Sequence, residues 1–401
     1  MRISIVNTLY APFGIGGAGR SVRELAEALV ADGHDVEVNS LAPEGYEPAV
    51  EQLNGVVVRR FRSDDAFGPF NKSRPGLGQV KKTLWHAQEI YRAPAKAFLV
   101  KSFTAFKPDV VHTNNIGGFG LGAWSAAAHI PLVHTMRDYY LVCVRSQLYR
   151  NGGLCETRCT TCTLLKAPAR LAKRTPDVYV GVSQDLLDRH SALGAIADRS
   201  ASAVVHNWPS VVPRPARPIR SSGLPFRFGV LGRIGEDKGT WKVVDGFRAM
   251  PEEARQNATL VIAGSASAAD ERRLRNLEQE VPQLTYLGTH VEPLDFFDAI
   301  DMAVIPSQWY EPFGRVAAEA RLGGVDVLAS RVGGLPEALA QFGGGNLVDD
   351  FASATGWADA MAEAIRVRRR VTAFLPTERT SVSKQYAEIY STALGVRSGT
   401  G

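Results

Sequence analysis

Short apolar runs, each closed by a glycine or a polar residue and followed by a segment of helical spacing, recur along this chain on both sides of a proline-rich stretch. ISIVN (3–7), PDVVHTNN (108–115) and DVYVGVS (177–183) precede it, and FRFGVLGRI (226–234), ATLVIAG (258–264) and LTYLGTH (284–290) follow it. Runs of this kind read as buried strands, and the periodic segments between them as the helices that cover a sheet. Five prolines between 209 and 225 mark a stiff, exposed connector. A chain of 401 residues is too long for one ordinary core and fits two domains of about 200 residues each. The expected bounds are 1–207 for the first domain, 208–225 for the linker, 226–375 for the second domain and 376–401 for a terminal helix (SKQYAEIYSTAL, 383–394) with a disordered tail.

Hydrophobic residues make up 45% of the chain and charged residues 22%, the balance of a soluble globular protein. The start, MRISIVNTLYAPF, has no apolar core of signal-peptide length, and no run of eighteen apolar residues occurs, so a cytoplasmic protein is expected. The net charge of +5 is uneven: residues 72–107 hold eight Lys or Arg and one acid, Glu89, a local +7 that leaves −2 elsewhere. No nucleic-acid motif accompanies this patch, so anionic lipid head groups or a phosphate-bearing acceptor suit it better than nucleic acid. Its helical period from Val80 to Phe98, kinked or split at Pro94, is that of a basic amphipathic helix at a membrane surface, or of a solvated helix whose stripe joins the core.

The second half holds the chemistry. An apolar strand from Met302 to Pro306 breaks into a polar loop with Glu311 and Pro312, and a helix starts near Phe313 whose Ala317, Ala318 and Ala320 allow close packing on a sheet. Glu319 lies eight residues beyond Glu311, about 12 Å along a helix, so the pair suits the two ends of a long ligand rather than one reacting atom. Between them a helix N-terminus offers unpaired N–H groups to a phosphate. In GRIGEDKG, Arg233 ends a strand while Lys238 and Gly239 begin a helix, so two cations and a helix N-terminus meet where a departing diphosphate gains charge. Gly264 and Gly288 close strands, and with Gly333 and Gly334 would let a base and ribose pass near the backbone. The plainer alternatives are a structural arginine and two solvated glutamates.

In the first half, APFGIGGAGR gives a glycine-rich turn into a helix, but Asn39 and Ser40 stand where a dinucleotide site would want an acid. The strands PDVVHTNN and PLVHTMRDYY should line a cleft with their polar ends, Arg137 and Asp138 among them; the alternative for that pair is a buried ion pair. All four cysteines follow within twenty residues, Cys143, Cys155, Cys159 and Cys162. Disulfides are disfavoured in a cytoplasmic chain, and four thiolates ending in C-x-x-C match a structural zinc or iron-sulfur site, with redox thiols or a plain loop as alternatives.

The spacing E-P-F-G-x-x-x-x-E, the small-residue helix and then V-L-A-S-x-V-G-G-L-P-E resemble the retaining glycosyltransferases of family 4. That resemblance implies the GT-B fold, two Rossmann-like β/α/β domains facing a cleft, and transfer of a sugar from a UDP- or GDP-linked donor to a sugar, glycolipid or lipid-linked acceptor. It implies Glu311 on donor-sugar hydroxyls and Glu319 on the ribose. Backbone N–H groups near Phe313 and Gly314 would meet sugar and phosphate, and Arg233 and Lys238 the two phosphates. Gly16 and Gly17 would approach the reacting sugar, unless they only serve a turn that needs positive φ, and Asn207 would face the cleft. Family members commonly carry a histidine-aspartate pair where this chain has Arg137 and Asp138, and an arginine clamps an anion but is no general base near neutral pH. No Asp-x-Asp triplet occurs, so catalysis is expected to need no metal cofactor. A sugar-nucleotide epimerase or hydrolase, and a non-catalytic nucleotide-sugar-binding relative, are the competing readings.

Overall fold

The structure is a computed structural model that describes the chain except residues 14–15, 48–49, 63–69, 71–91, 167–171, 210, 216–222, 290, 368–380 and 399–401. The chain divides into two compact units, residues 1–148, 155–207 and 380–401 in the first and residues 149–154 and 208–379 in the second.

Eight strands build the first unit's sheet: β1 (Arg2–Val6), β2 (Asp35–Ala42), β3 (Val50–Leu53), β4 (Val56–Arg62), β5 (Val110–Thr113), β6 (Leu132–Met136) and, after a small hairpin of β7 (Tyr149–Arg150) and β8 (Gly153–Leu154), β9 (Val178–Gly181) and β10 (Ala201–Val204). Their spatial order is β10-β9-β6-β5-β1-β2-β4-β3, parallel throughout except for the β3–β4 pair at one edge. The helices are α1 (Gly17–Ala31), α2 (Ala93–Phe106), α3 (Gly122–Ala126), α4 (Thr160–Leu165) and α5 (Gln184–Ala192). Helix α1 covers the sheet with Val22, Leu25, Ala26 and Leu29, the period read from sequence, against Ile3, Ile5, Val36 and Val38.

The second unit is a six-stranded parallel sheet of β11 (Phe226–Leu231), β12 (Ala258–Ala263), β13 (Leu284–Tyr286), β14 (Met302–Ile305), β15 (Asp326–Ser330) and β16 (Asn346–Val348). The order β13-β12-β11-β14-β15-β16 is that of the doubly wound nucleotide fold. Helices α6 (Thr240–Ala249), α7 (Glu252–Gln256), α8 (Ala268–Glu280), α9 (Pro293–Ala299), α10 (Arg315–Leu322), α11 (Leu335–Gln341) and α12 (Ala354–Val367) flank it. The last helix, α13 (Val382–Ser398), packs on the first unit, where Tyr386, Tyr390 and Ala393 enter the core of β1, β5, β6 and β9.

Pro94 lies in the first turn of α2, where its missing N–H leaves no helical bond unmade, so among the described residues it stands at a helix start. Most of the basic amphipathic segment, residues 71–91, lies outside the described residues. The tail stays helical through Ser398, and the rest of the expected disordered tail, 399–401, lies outside them. Among the described residues no helix is long and apolar enough to cross a membrane.

Candidate active site

In a doubly wound sheet the strand order reverses at one point, and the crevice beyond the strand ends there is where ligands sit. In the second unit that point lies between β11 and β14. Chain leaving β11 carries Gly232, Arg233 and Lys238, and chain leaving β14 carries Ser307, Trp309 and Glu311. Topology therefore joins two segments about seventy residues apart.

Their side chains meet. Lys238 Nζ donates to Glu311 Oε2 at 2.8 Å and stands 4.9 Å from the centre of the Trp309 ring. Ser307 Oγ donates to the same Oε2 at 2.9 Å, and Trp309 Nε1 at 3.0 Å. The two segments are also tied through their backbones, where Gln308 N donates to the Asp237 carbonyl at 2.8 Å. Gly239, at φ +71°, starts α6 against Pro306, and a Cβ there would stand 1.8 Å from the Pro306 carbonyl oxygen, so only glycine fits.

Arg233 is half exposed and pairs with Asp237, four residues on and next to Lys238. Glu319 is buried and accepts from Arg315 Nε at 2.7 Å. The structure thus joins Lys238 to Glu311 directly, while Arg233 and Glu319 each have a local partner, Asp237 and Arg315. Helix α10 begins at Arg315, with Gly314 in a left-handed conformation at φ +102° as its cap, so only the last part of the interval from Glu311 to Glu319 is helical and the 12 Å helical span does not apply. The Phe313 ring is buried and lies at a steep angle to the Phe342 ring.

Two of the strand-end glycines lie tight against neighbouring backbone. The loop after β15 lies on the backbone of Glu311: a Cβ on Gly333 would come within 2.4 Å of the Glu311 carbonyl oxygen, and Gly334 N donates to that oxygen at 2.7 Å. Gly264 sits against Gly232 in the same manner, its Cβ position 1.8 Å from the Gly232 carbonyl oxygen, and its N donates to Gly288 O. At Gly333 and Gly264 the close approach of neighbouring backbone itself calls for glycine.

In the first unit the order reverses between β1 and β5. Gly16 caps α1 with φ −81°, so no positive φ is required of it, and Gly17 is the first residue of that helix. Arg60 donates to the carbonyls of Tyr10 and Ala11 and to Ser40 Oγ, pegging down the loop that precedes Gly16. Beyond β5 and β6, Arg137 donates from Nε to Asn114 Oδ1 at 2.8 Å and from Nη1 to Asn207 Oδ1 at 2.7 Å. Asp138 accepts from Asn115 Nδ2 and from the Tyr140 N–H. The adjacent arginine and aspartate thus reach different asparagines.

His134 lies in the core, against Trp124 and Tyr179, with Thr113 Oγ1 2.9 Å from its Nδ1. Burial, then the neighbouring His190, lowers its pKa to about 3, so it is neutral near pH 7. His112 is likewise held well below the usual value, chiefly by burial, between the Tyr390 hydroxyl at 2.8 Å and Thr135 Oγ1 at 2.7 Å.

Cys143 and Cys162 are buried, and Cys155 and Cys159 partly so. Burial pushes the Cys162 thiol up to about 12, with Cys143 and Cys159 near enough to act in the same direction. Among the described residues no group of three or more His, Cys, Asp or Glu side chains is placed to hold a metal ion.

The "Glycosyl transferase 4-like domain" family profile matches residues 16–208, and that of "Glycosyl transferases group 1" matches residues 219–374. An uncharacterized 42.6 kDa protein in the cps region of Klebsiella pneumoniae is 32% identical over 348 residues, covering 84% of this chain and 87% of that one. The chain belongs to the group 1 glycosyltransferases. A glycogen synthase of Mycobacterium tuberculosis is 28% identical over 345 residues, 84% of this chain and 80% of its own. The crystal structure of Anabaena Alr3699/HepE in complex with UDP and glucose superposes with a TM-score of 0.65 at 19% identity, over 97% of this chain and 99% of that one, which shows the shared GT-B fold. The sequence reading of this glycosyltransferase passed over Asp237, Ser307, Trp309 and Arg315. Two of them were open to it, since Arg233–Asp237 and Arg315–Glu319 are i,i+4 charge pairs.

Proposed function

We propose that this glycosyltransferase moves a hexosyl group from a UDP- or GDP-linked sugar to an acceptor hydroxyl, with retention at the anomeric carbon and no metal, in building a cell-surface polysaccharide or glycolipid. The observation that carries the reading is the Lys238–Glu311 pair at the switch point of the second unit, beside the start of α6. Glu311 accepts hydroxyl hydrogens of the sugar. Lys238 has three N–H donors and gives one to Glu311, so it can reach a phosphate oxygen with another. Arg233, half exposed beside it, takes the second phosphate. The bond from the anomeric carbon to the diphosphate oxygen breaks, the acceptor oxygen adds on the same face, and its proton passes to the departing phosphate. Positive groups fixed in advance stabilise that leaving charge. The glycogen synthase relative and the HepE complex with UDP and glucose support a nucleotide-linked sugar and a polysaccharide product. The basic residues within 72–107 would bring the enzyme to an anionic membrane surface and a lipid-linked acceptor.

Thermal shifts with a panel of nucleoside diphosphate sugars identify the donor, since a ligand that binds the folded state raises the melting point by mass action. With that donor, Glu311→Ala and Lys238→Ala should each lower transfer by about a hundredfold or more, the loss expected for a transition-state contact. A loss below threefold at both would remove the assignment.

A further inference from the structure

Glu311 is held on one side only. All three donors that reach its carboxylate, Lys238 Nζ, Ser307 Oγ and Trp309 Nε1, converge on Oε2 within 3.0 Å. A carboxylate oxygen has two lone pairs, so three donors saturate it. Among the described residues no side chain or backbone group donates to Oε1, and Oε1 is not shut away without a partner, since the carboxylate side chain stays 14% exposed. Ser307 and Trp309 are themselves buried, and Gln308 between them is fixed by Nε2 bonds to the Pro306 and Phe351 carbonyls. Trp309 serves both members of the ion pair, with its N–H on Glu311 and its ring face 4.9 Å from the Lys238 ammonium.

We propose that Ser307 and Trp309 are positioning residues that pin Glu311 by Oε2, leaving Oε1 as the single oxygen that this carboxylate presents to a hydroxyl of the donor sugar. The inference rests on Glu311 as the sugar-binding acid. With the two neutral donors gone, the carboxylate follows Lys238 alone and turns about its own axis, so that Oε1 no longer stands in a fixed place. Lys238 then joins the two ends of the donor, because one ammonium touches both the acid that reads the sugar and the diphosphate.

The test compares the affinity for a nucleoside diphosphate sugar with that for its parent nucleoside diphosphate by calorimetry. The probe is whichever of UDP-glucose, UDP-galactose, GDP-mannose and ADP-glucose stabilises the wild type most, and the ratio of the two affinities isolates the sugar contact. Trp309→Phe keeps an aromatic ring beside Lys238 and removes the N–H together with part of the indole's bulk; Ser307→Ala drops only the hydroxyl. Each should reduce the ratio about tenfold, the worth of a hydrogen bond to a charged group, with the parent nucleotide bound as in wild type. In the Glu311→Ala background neither change should have a further effect, since both act through that carboxylate. A wild type that binds none of the four, or a ratio unmoved by Glu311→Ala, overturns the donor-site reading and this inference with it. A ratio lowered by Glu311→Ala but within twofold of wild type in both Trp309→Phe and Ser307→Ala overturns the positioning roles alone, as does a Trp309→Phe loss that persists in full without Glu311.

Discussion

Gly239→Ala tests whether the two segments of the donor site are in contact as closely as the structure has them. The new Cβ would stand 1.8 Å from the Pro306 carbonyl oxygen and 3.1 Å from Gln308 Nε2, against the 3.4 Å at which ordinary contact begins. The gap between α6 and the end of β14 must therefore widen by about 1.6 Å, the difference between 3.4 Å and 1.8 Å, because the Pro306 carbonyl is backbone and cannot swing aside. Left-handed φ costs an alanine about 1–2 kcal/mol and overpacking about 1–3 kcal/mol, so the loss should be about 2–5 kcal/mol. In a unit of this size each kcal/mol lowers the melting temperature by roughly 2–4 °C, giving a fall on the order of 10 °C. Lys238 is the preceding residue, and a misplacement of about 1 Å costs a reaction about a hundredfold. Gly288→Ala is the control, with φ +81° but nothing within 4 Å of its Cβ, so it carries the conformational cost without the clash. Calorimetric melting and turnover of both variants decide the matter. Equal melting temperatures with undiminished turnover in Gly239→Ala would refute the close approach of Gly239 to Pro306.

Arg315→Met leaves the Glu319 carboxylate, 5% exposed, without its arginine, and should destabilise the protein by about 3–5 kcal/mol; urea melting that shows a loss below 1 kcal/mol would mean the carboxylate has other support. Acid should weaken the first unit through its buried histidines. His190 is lowered to about 4 and His134 to about 3, both mainly by burial, so the folded state holds them neutral while the unfolded chain takes up a proton below about pH 6.5. Stability is full above that pH and falls towards pH 4, by about 1.4 kcal/mol per pH unit for each histidine. His190→Phe, which keeps a flat ring where the imidazole stacks on Tyr139, should therefore flatten the pH dependence of urea melts between pH 6 and 4.5; an unchanged slope would show that His190 is not buried neutral.

Most strands were legible because both sheets are almost wholly parallel and their strands largely buried, which writes many of them into the sequence as short apolar runs. Helix α1 was legible from the spacing of Val22, Leu25 and Leu29. The antiparallel edge strand β3 and the hairpin of β7 and β8 were not, since they are short and exposed, with little apolar pattern to betray them. In the candidate site, the residue types and their places at strand ends were visible, but their partners were not. Glu311 meets Lys238 across 73 positions, and Gly333 is small because Glu311 lies over it.

The sequence by itself determined that this is a chain of alternating strands and helices with acids and cations where strands give way to helices, because burial and helical period are local properties that each segment carries alone. Which of those charged groups face one another was decided only by the tertiary structure. The strand order places β11 beside β14, and from that adjacency follow the Lys238–Glu311 pair, the glycine at 239 and the three donors on one carboxylate oxygen. Neighbourhood across a sheet depends on how crossovers wind, and no short stretch of chain encodes that.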